Sequence, residues 1–164
     1  MKTLNDLFNH QIKDLYSAET QLLSVLPKMA KNANNKKLKK AFENHLKETK
    51  EQKSKLETIC RELNISPSGA KCHAMKGLIK EAKIFMKAIE DNEVMDAGLI
   101  AEAQRIEHYE ISGYGTAVRY AKELGLRKVA KNLQEILNEA YNADHTLNEI
   151  AENRVNRKAL ERIK

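Results

Sequence analysis

Seven side chains in this sequence have types and spacing suited to metal chemistry: Glu19, His45, Glu48, Glu107, Glu110, Glu139 and Asp144. Each interrupts or flanks an otherwise apolar helical stripe. His45 and Glu48 form an i, i+3 pair, and Glu107 and Glu110 form another. On a helix that spacing sets two side chains on one face, one turn apart, where both can reach the same ions. An ionised carboxylate buried without a partner is very costly, and several of them in one core repel one another. A bound divalent or trivalent cation removes that cost. Acidic and imidazole groups at i, i+3 on facing helices are how dinuclear iron and manganese sites are built. A single Glu on a helix face is ordinarily solvated. The coincidence of such groups near the midpoint of four elements is what carries the expectation.

Those groups need long helices to hold them. Leu4, Leu7, Phe8, Ile12, Leu15, Leu22, Leu26 and Met29 recur at three- and four-residue steps and predict the first helix, with Pro27 late in it as a kink. NANN at 32–35 breaks the pattern and offers an Asn N-cap for a second stripe from Leu38 to Leu63. NISPSG at 64–69 is the clearest loop. A shorter helix is expected over about 73–89, and Asp91-Asn92-Glu93 restarts the chain. A third stripe runs from Val94 to Ala121 with Gly125 as a C-cap residue, and a fourth from Val129 to Ala151. Short turns pair the first helix with the second and the third with the fourth. One long connection, 64–91, joins the two hairpins. With no strand candidate, this predicts an all-α, ferritin-like four-helix bundle with a short additional crossover helix, as a single domain over residues 1–164.

Composition agrees. Of the 164 residues 41% are hydrophobic and 32% charged, with only 2 Pro and no Trp, a balance that favours helix. The net charge is +6, but Lys, Arg, Asp and Glu are mixed along the helices, so a nucleic-acid partner is not expected. Lys36, Lys37, Lys39 and Lys40 form the densest basic cluster, and it is short. No apolar run approaches the roughly 18 to 20 residues of a membrane span, so no membrane partner is expected. Two cysteines, Cys60 and Cys72, make no disulfide framework, and a cytoplasmic location is expected. Cys72-His73 lacks the paired CxxC spacing of a zinc site. Tyr16, Tyr109 and Tyr114 fall near the acidic groups and read first as core aromatics with satisfied hydroxyls. Gly113 and Gly115 point to close approach of a neighbouring helix or subunit, or to a local irregularity.

DLYSAETQL at 14–22, HLKET at 45–49, AQRIEHYEISGYGTA at 103–117 and the stretch from Leu137 to Ala151 resemble the YciF/YciE family of ferritin-like proteins, also called DUF892. The resemblance spans nearly the whole chain, and AQRIEHYEISGYG is its most specific motif. It implies a stress-associated bacterial protein that forms a homodimer and holds two metal ions, iron or manganese. Carried over position by position, it implies Glu19, His45, Glu48, Glu107 and Glu110 as ligands. On the fourth helix such proteins have two adjacent acids where this chain has Glu139 and Ala140, followed by an Asp that matches Asp144.

Three functions follow as expectations. The first is a di-metal protein, ferroxidase- or catalase-like, acting on dioxygen or peroxide. The second is a non-enzymatic stress or interaction protein with a degenerate or empty site, favoured by Ala140. A DNA-protecting role, motivated by the net charge, ranks third.

Overall fold

The structure, a computed structural model, describes residues 1–69 and 71–161, without the side chain of Arg154. Four long helices form it: α1 (Leu4–Asn32), α2 (Lys36–Glu62), α4 (Asn92–Glu123) and α5 (Arg127–Ile150), with α3 (His73–Ala88) in the connection between α2 and α4. After α5 a π-helical turn, Ala151–Val155, leads into α6 (Asn156–Glu161). No strand occurs among the described residues. The expected ferritin-like bundle with its crossover helix is the fold observed.

Local chemistry sets the helix ends. Thr3 and Asp6 form a capping box on α1. The Asn35 side chain accepts from the backbone N–H groups of Lys37 and Leu38, at 2.9 and 3.2 Å, so the expected Asn cap of α2 is present. Asp91 caps α4 through Glu93 and Val94. α2 and α4 end alike: Asn64 and Gly125 take positive φ, +54° and +72°. The residue after each closes a 6→1 bond, Ile65 N to Cys60 O and Leu126 N to Ala121 O, both 2.9 Å. α1 runs through Pro27 to Asn32.

The buried apolar residues fall into two clusters. One joins the second half of α1 and the first half of α2 with α3, the first half of α4 and the end of α5, through Leu22, Leu26, Phe42, Met75, Leu99, Ile106 and Leu147. The other joins the first half of α1, the second halves of α2 and α4, and the start of α5, through Phe8, Leu15, Leu56, Tyr114, Leu133 and Ile136. Following the chain through the two clusters gives the directions: α1 and α5 run one way, α2 and α4 the other. Two parallel neighbours in sequence, α2 and α4, require a connection that climbs the length of the bundle. Residues 63–91 make that climb, and α3 lies against α1 and α4 as it does so.

Two contacts fix how the hairpins meet. A Cβ at Gly113 would lie 2.8 Å from Leu15 Cδ2, so α1 approaches α4 closely because glycine is there. At Gly115 the nearest side-chain atom would be 3.5 Å away, so that glycine answers no close approach by another helix. At the other end Asp96 of α4 is buried and accepts from the backbone N–H groups of Asn34 and Asn35, at 2.7 and 2.8 Å. It thereby pins the α1–α2 turn to the second hairpin. Burial raises its pKa, and the two donors oppose that rise. Replacing Asp96 with Ala leaves both N–H groups without their acceptor. Urea unfolding should show a loss of about 1–3 kcal/mol with an unchanged m-value.

Candidate metal centre

A polar layer separates the two apolar clusters. It occupies α1 between Leu15 and Leu22, α2 between Phe42 and Leu56, and α4 between Ile106 and Tyr114. Glu19, His45, Thr49, Gln52, Glu107 and Glu110 are the buried polar residues there. Helix periodicity explains the placement. Glu107 and Glu110 sit one turn apart on the buried face of α4, and His45, Thr49 and Gln52 step along the buried face of α2.

His45 lies between two carboxylates. Its Nδ1 is 2.9 Å from Glu107 Oε1 and its Nε2 is 3.6 Å from Glu110 Oε2. One donor atom from each of these three buried residues falls within 4.8 Å of the others, a grouping compatible with a metal site. Glu19, fully buried, accepts a 2.5 Å hydrogen bond from the Tyr114 hydroxyl through Oε1 and contacts Glu110 electrostatically. Its Oε2, both oxygens of Glu107 and Oε1 of Glu110 have no hydrogen-bond donor. The His45–Glu107 contact is thus an ion pair without good hydrogen-bond geometry.

The remaining expected residues are placed less centrally. Glu48 is half-buried and within electrostatic reach of His45, Glu139 and Glu110. Glu139 is held at the edge of the layer, where it accepts from Gln52 Nε2 at 2.9 Å and Lys55 Nζ at 3.1 Å. Asp144 is not brought to the cluster. Its Oδ1 faces α4, 3.1 Å from Gln104 Nε2 and 3.4 Å from His108 Nε2. Ala140 is buried, so a methyl group stands where the family resemblance led us to expect an acid. Among the tyrosines only Tyr114 reaches the cluster. Tyr16 donates to Glu57, and Tyr109 bonds Asp14 and Cys72. Tyr114, which orients Glu19, is one of the three tyrosines the sequence places near the acidic groups, whereas Gln52, which orients Glu139, is visible there only as a position on an apolar stripe.

A cavity of about 140 Å³ opens between α2 and α5 onto the layer. His45 and Glu107 form its buried wall, with Glu48 and Glu139 beside them and the exposed Asn44, Asn142 and Thr146 further out. Its polar lining and size admit several waters or a molecule of a few atoms.

Burial governs the charge state of the layer. It pushes Glu19 well above the usual carboxylate range, with the Glu110 charge adding to the rise and the Tyr114 hydroxyl opposing it. Glu107 is raised to about 7, chiefly by burial and against the pull of His45. For His45 burial opposes the charged form, but Glu107 and Glu110 outweigh it and hold the imidazole well above its ordinary value. Metal-free, the layer therefore retains protons that the unfolded chain has released.

The family model "Domain of unknown function (DUF892)" matches residues 3–160. The chain belongs to the DUF892 family. Within it, the chain is 47% identical over 160 residues to Protein YciF of Escherichia coli K12, covering 97% of this chain and 96% of that one. The solved structure of the E. coli YciF, described as a stress protein, superposes with a TM-score of 0.91 at 46% identity, over 95% of this chain and 99% of that one. YcfI from Rhodopseudomonas palustris gives 0.87 at 41% identity, over 90% and 94%. A Xanthomonas campestris protein at 23% identity and TM-score 0.77 shares the fold. This DUF892 chain holds a buried His/Glu/Glu cluster, and its bundle is shared by these relatives.

The raised folded-state values fix a sign. The folded metal-free protein binds more protons than the unfolded chain, so stability falls as pH rises through the window from about 4.5, the ordinary glutamate value, to about 7 for Glu107, and the upward shifts of Glu19 and His45 act in the same direction. In EDTA-treated protein the melting temperature should drop between pH 5 and 8. Glu107→Gln should flatten that profile; a profile that rises with pH in wild type contradicts it.

Proposed function

We propose that the polar layer is a dinuclear iron or manganese centre serving a redox role in the stress response. One observation carries this reading: four buried carboxylate oxygens, on Glu19, Glu107 and Glu110, share one layer without a well-aligned hydrogen-bond donor, and among the described residues only one of them, Glu107 Oε1, has an ion-pair partner, His45. A buried polar atom left unsatisfied costs about 1–3 kcal/mol, and more when charged. The three without even an ion-pair partner would consume much of the roughly 5–15 kcal/mol by which a domain is stable. Protons offset part of that cost, and a cation does so without neutralising the carboxylates individually. The donor chemistry fits: oxygen ligands with one imidazole suit iron and manganese.

In this reading Glu107, Glu110 and His45 hold the metal, with Glu19 and Glu48 completing the set and Glu139 at its edge. Bound iron or manganese supplies the electron exchange with dioxygen or peroxide. The chain's own groups do the rest. Tyr114 fixes Glu19 in place, Gln52 and Lys55 restrain Glu139, and the α2–α5 cavity gives a small oxidant a path that the apolar clusters otherwise block. The description of the E. coli relative as a stress protein supports this role.

A second reading has its own observation. Ala140 offers no ligand and Asp144 is engaged with Gln104 and His108, so α5 contributes less than the other three helices. The layer would then be a residual site and the function non-enzymatic. Elemental analysis after loading with Fe(II) or Mn(II), combined with ferrous-oxidation and peroxide-consumption assays, separates the two. The first reading expects about two ions per chain, measurable turnover, and loss of both in Glu107→Gln. Retained metal without turnover favours the second. Failure to take up either ion overturns the metal centre.

A further inference from the structure

The crossover assembles a charge feature that the linear sequence disperses. Lys76, Lys80, Lys83 and Lys87 recur at four-, three- and four-residue steps along one face of α3. At 1.5 Å per residue they span about 16 Å. α3 packs against α1, and the seam between them is a pair of adjoining grooves of about 440 and 490 Å³ that share Lys83 and Lys87. Lys71 lines the first groove, and Lys28 and Lys31 of α1 line the second. Among the described residues no acidic side chain lines either groove, and none of these seven lysines makes an ion pair. Six of the seven are exposed, and Lys83 is half-buried. Seven uncompensated lysines exceed the net charge of the whole chain, +6, so the rest of the protein is close to neutral or slightly acidic.

The geometry points to this α1–α3 groove as a binding site for the phosphate backbone of duplex nucleic acid, read without regard to sequence. Like charges held this close repel one another, and a polyanion relieves the repulsion. Duplex DNA carries one negative charge per about 1.7 Å of axis, so the α3 stripe alone runs beside roughly ten of them. No aromatic ring lines the grooves, so nothing there offers the stacking platform on which single strands are usually held. Besides the lysines, the hydrogen-bonding side chains among the described residues that line the grooves are Gln21, Ser24 and Asn32, and no Arg there offers a bidentate fork to a base edge. An anionic membrane fits less well. The apolar residues of α3, Met75, Ile79 and Ala82, are buried against the bundle, and Ile84, 57% exposed, is the one large apolar side chain that stands out between the lysines. The mixed charge of the sequence pointed away from nucleic acid; the fold sorts that mixture by bringing α1 beside α3.

The groove and the metal centre are independent features, and the full chain serves for the test. Fluorescence anisotropy of a labelled duplex of about 20 base pairs should show binding at 50 mM salt, weakening with a log–log slope between about −4 and −6. Changing Lys76, Lys80 and Lys87 together to Gln should cut affinity by ~10-fold or more and flatten the slope by about three. Gln keeps helix propensity near that of Lys. The same three positions changed to Arg should retain binding, because charge is kept. Lys122→Gln with Lys131→Gln, at the far end of the bundle, should leave it unchanged. The proposal is overturned if wild type does not bind at 50 mM salt, if the Gln triple variant binds as wild type does, if the Arg variant fails, or if the far-end variant loses as much. Retention on anionic vesicles without duplex binding also overturns it.

Discussion

Desolvation of acidic side chains is the constraint around which this bundle is organised. Glu19, Glu107 and Glu110 lie in the middle of long helices, each almost fully shielded from water. Apolar residues throughout this layer would let the two hydrophobic clusters meet. The chain instead divides its core into two apolar blocks with a polar layer between them. Replacing buried charge with well-packed apolar groups is often neutral or stabilising, so stability alone gives no reason to keep such a layer. The proposed metal centre supplies a reason, since ligand chemistry needs donors held away from bulk water.

The structure around the layer acts to hold those donors still. Tyr114 can donate to Glu19 only because α1 and α4 approach closely, and they do so because Gly113 leaves room for Leu15. Asp96 ties the α1–α2 turn to α4 at the opposite end. Between these two fixed points the register of α1 against α4 is set, and with it the distance from Glu19 to Glu110. α2 and α5 are joined differently. Their contact near the layer runs through Gln52, Lys55 and Glu139, and beside it lies the cavity. The α1–α4 seam carries the central carboxylates and the α2–α5 seam carries the path to solvent.

Periodicity made most of this legible from residues alone. A carboxylate or imidazole among Leu15 and Leu22, or between Phe42 and Leu56, stands out because a helix face has a fixed repeat, and so Glu19, His45, Glu107 and Glu110 could be named before any tertiary contact was known. Asp144 shows where that reasoning stops. It lies four residues after Ala140 and three before Leu147, on the same stripe by spacing, yet it sits at the edge of the face where α4 supplies Gln104 and His108. Periodicity gives an angle around one helix and says nothing of which neighbour is nearer. The hydrogen bonds of Cys72 to Tyr109 and Asp14 were illegible for a related reason: they depend on where the crossover lays Cys72, which is 37 and 58 residues from those partners along the chain.

The crossover also gives the molecule two chemically distinct faces. The long helices neighbour one another in the cyclic order α1, α2, α5, α4, and α3 lies on α1 and α4. The lysine grooves run along α3 and α1, whereas the cavity opens through the seam of α2 and α5, on the other side of the bundle. A polyanion seated against α3 therefore leaves access to the carboxylate layer open. It also stays remote from the acidic groups at that layer, whose field would repel it if both features shared a face. A plain up-down-up-down bundle with short turns would have no α3 to form such a groove. The long connection that makes α2 and α4 parallel is thus also what places a carboxylate-lined cavity and a lysine-lined groove on separate sides of a chain of this size.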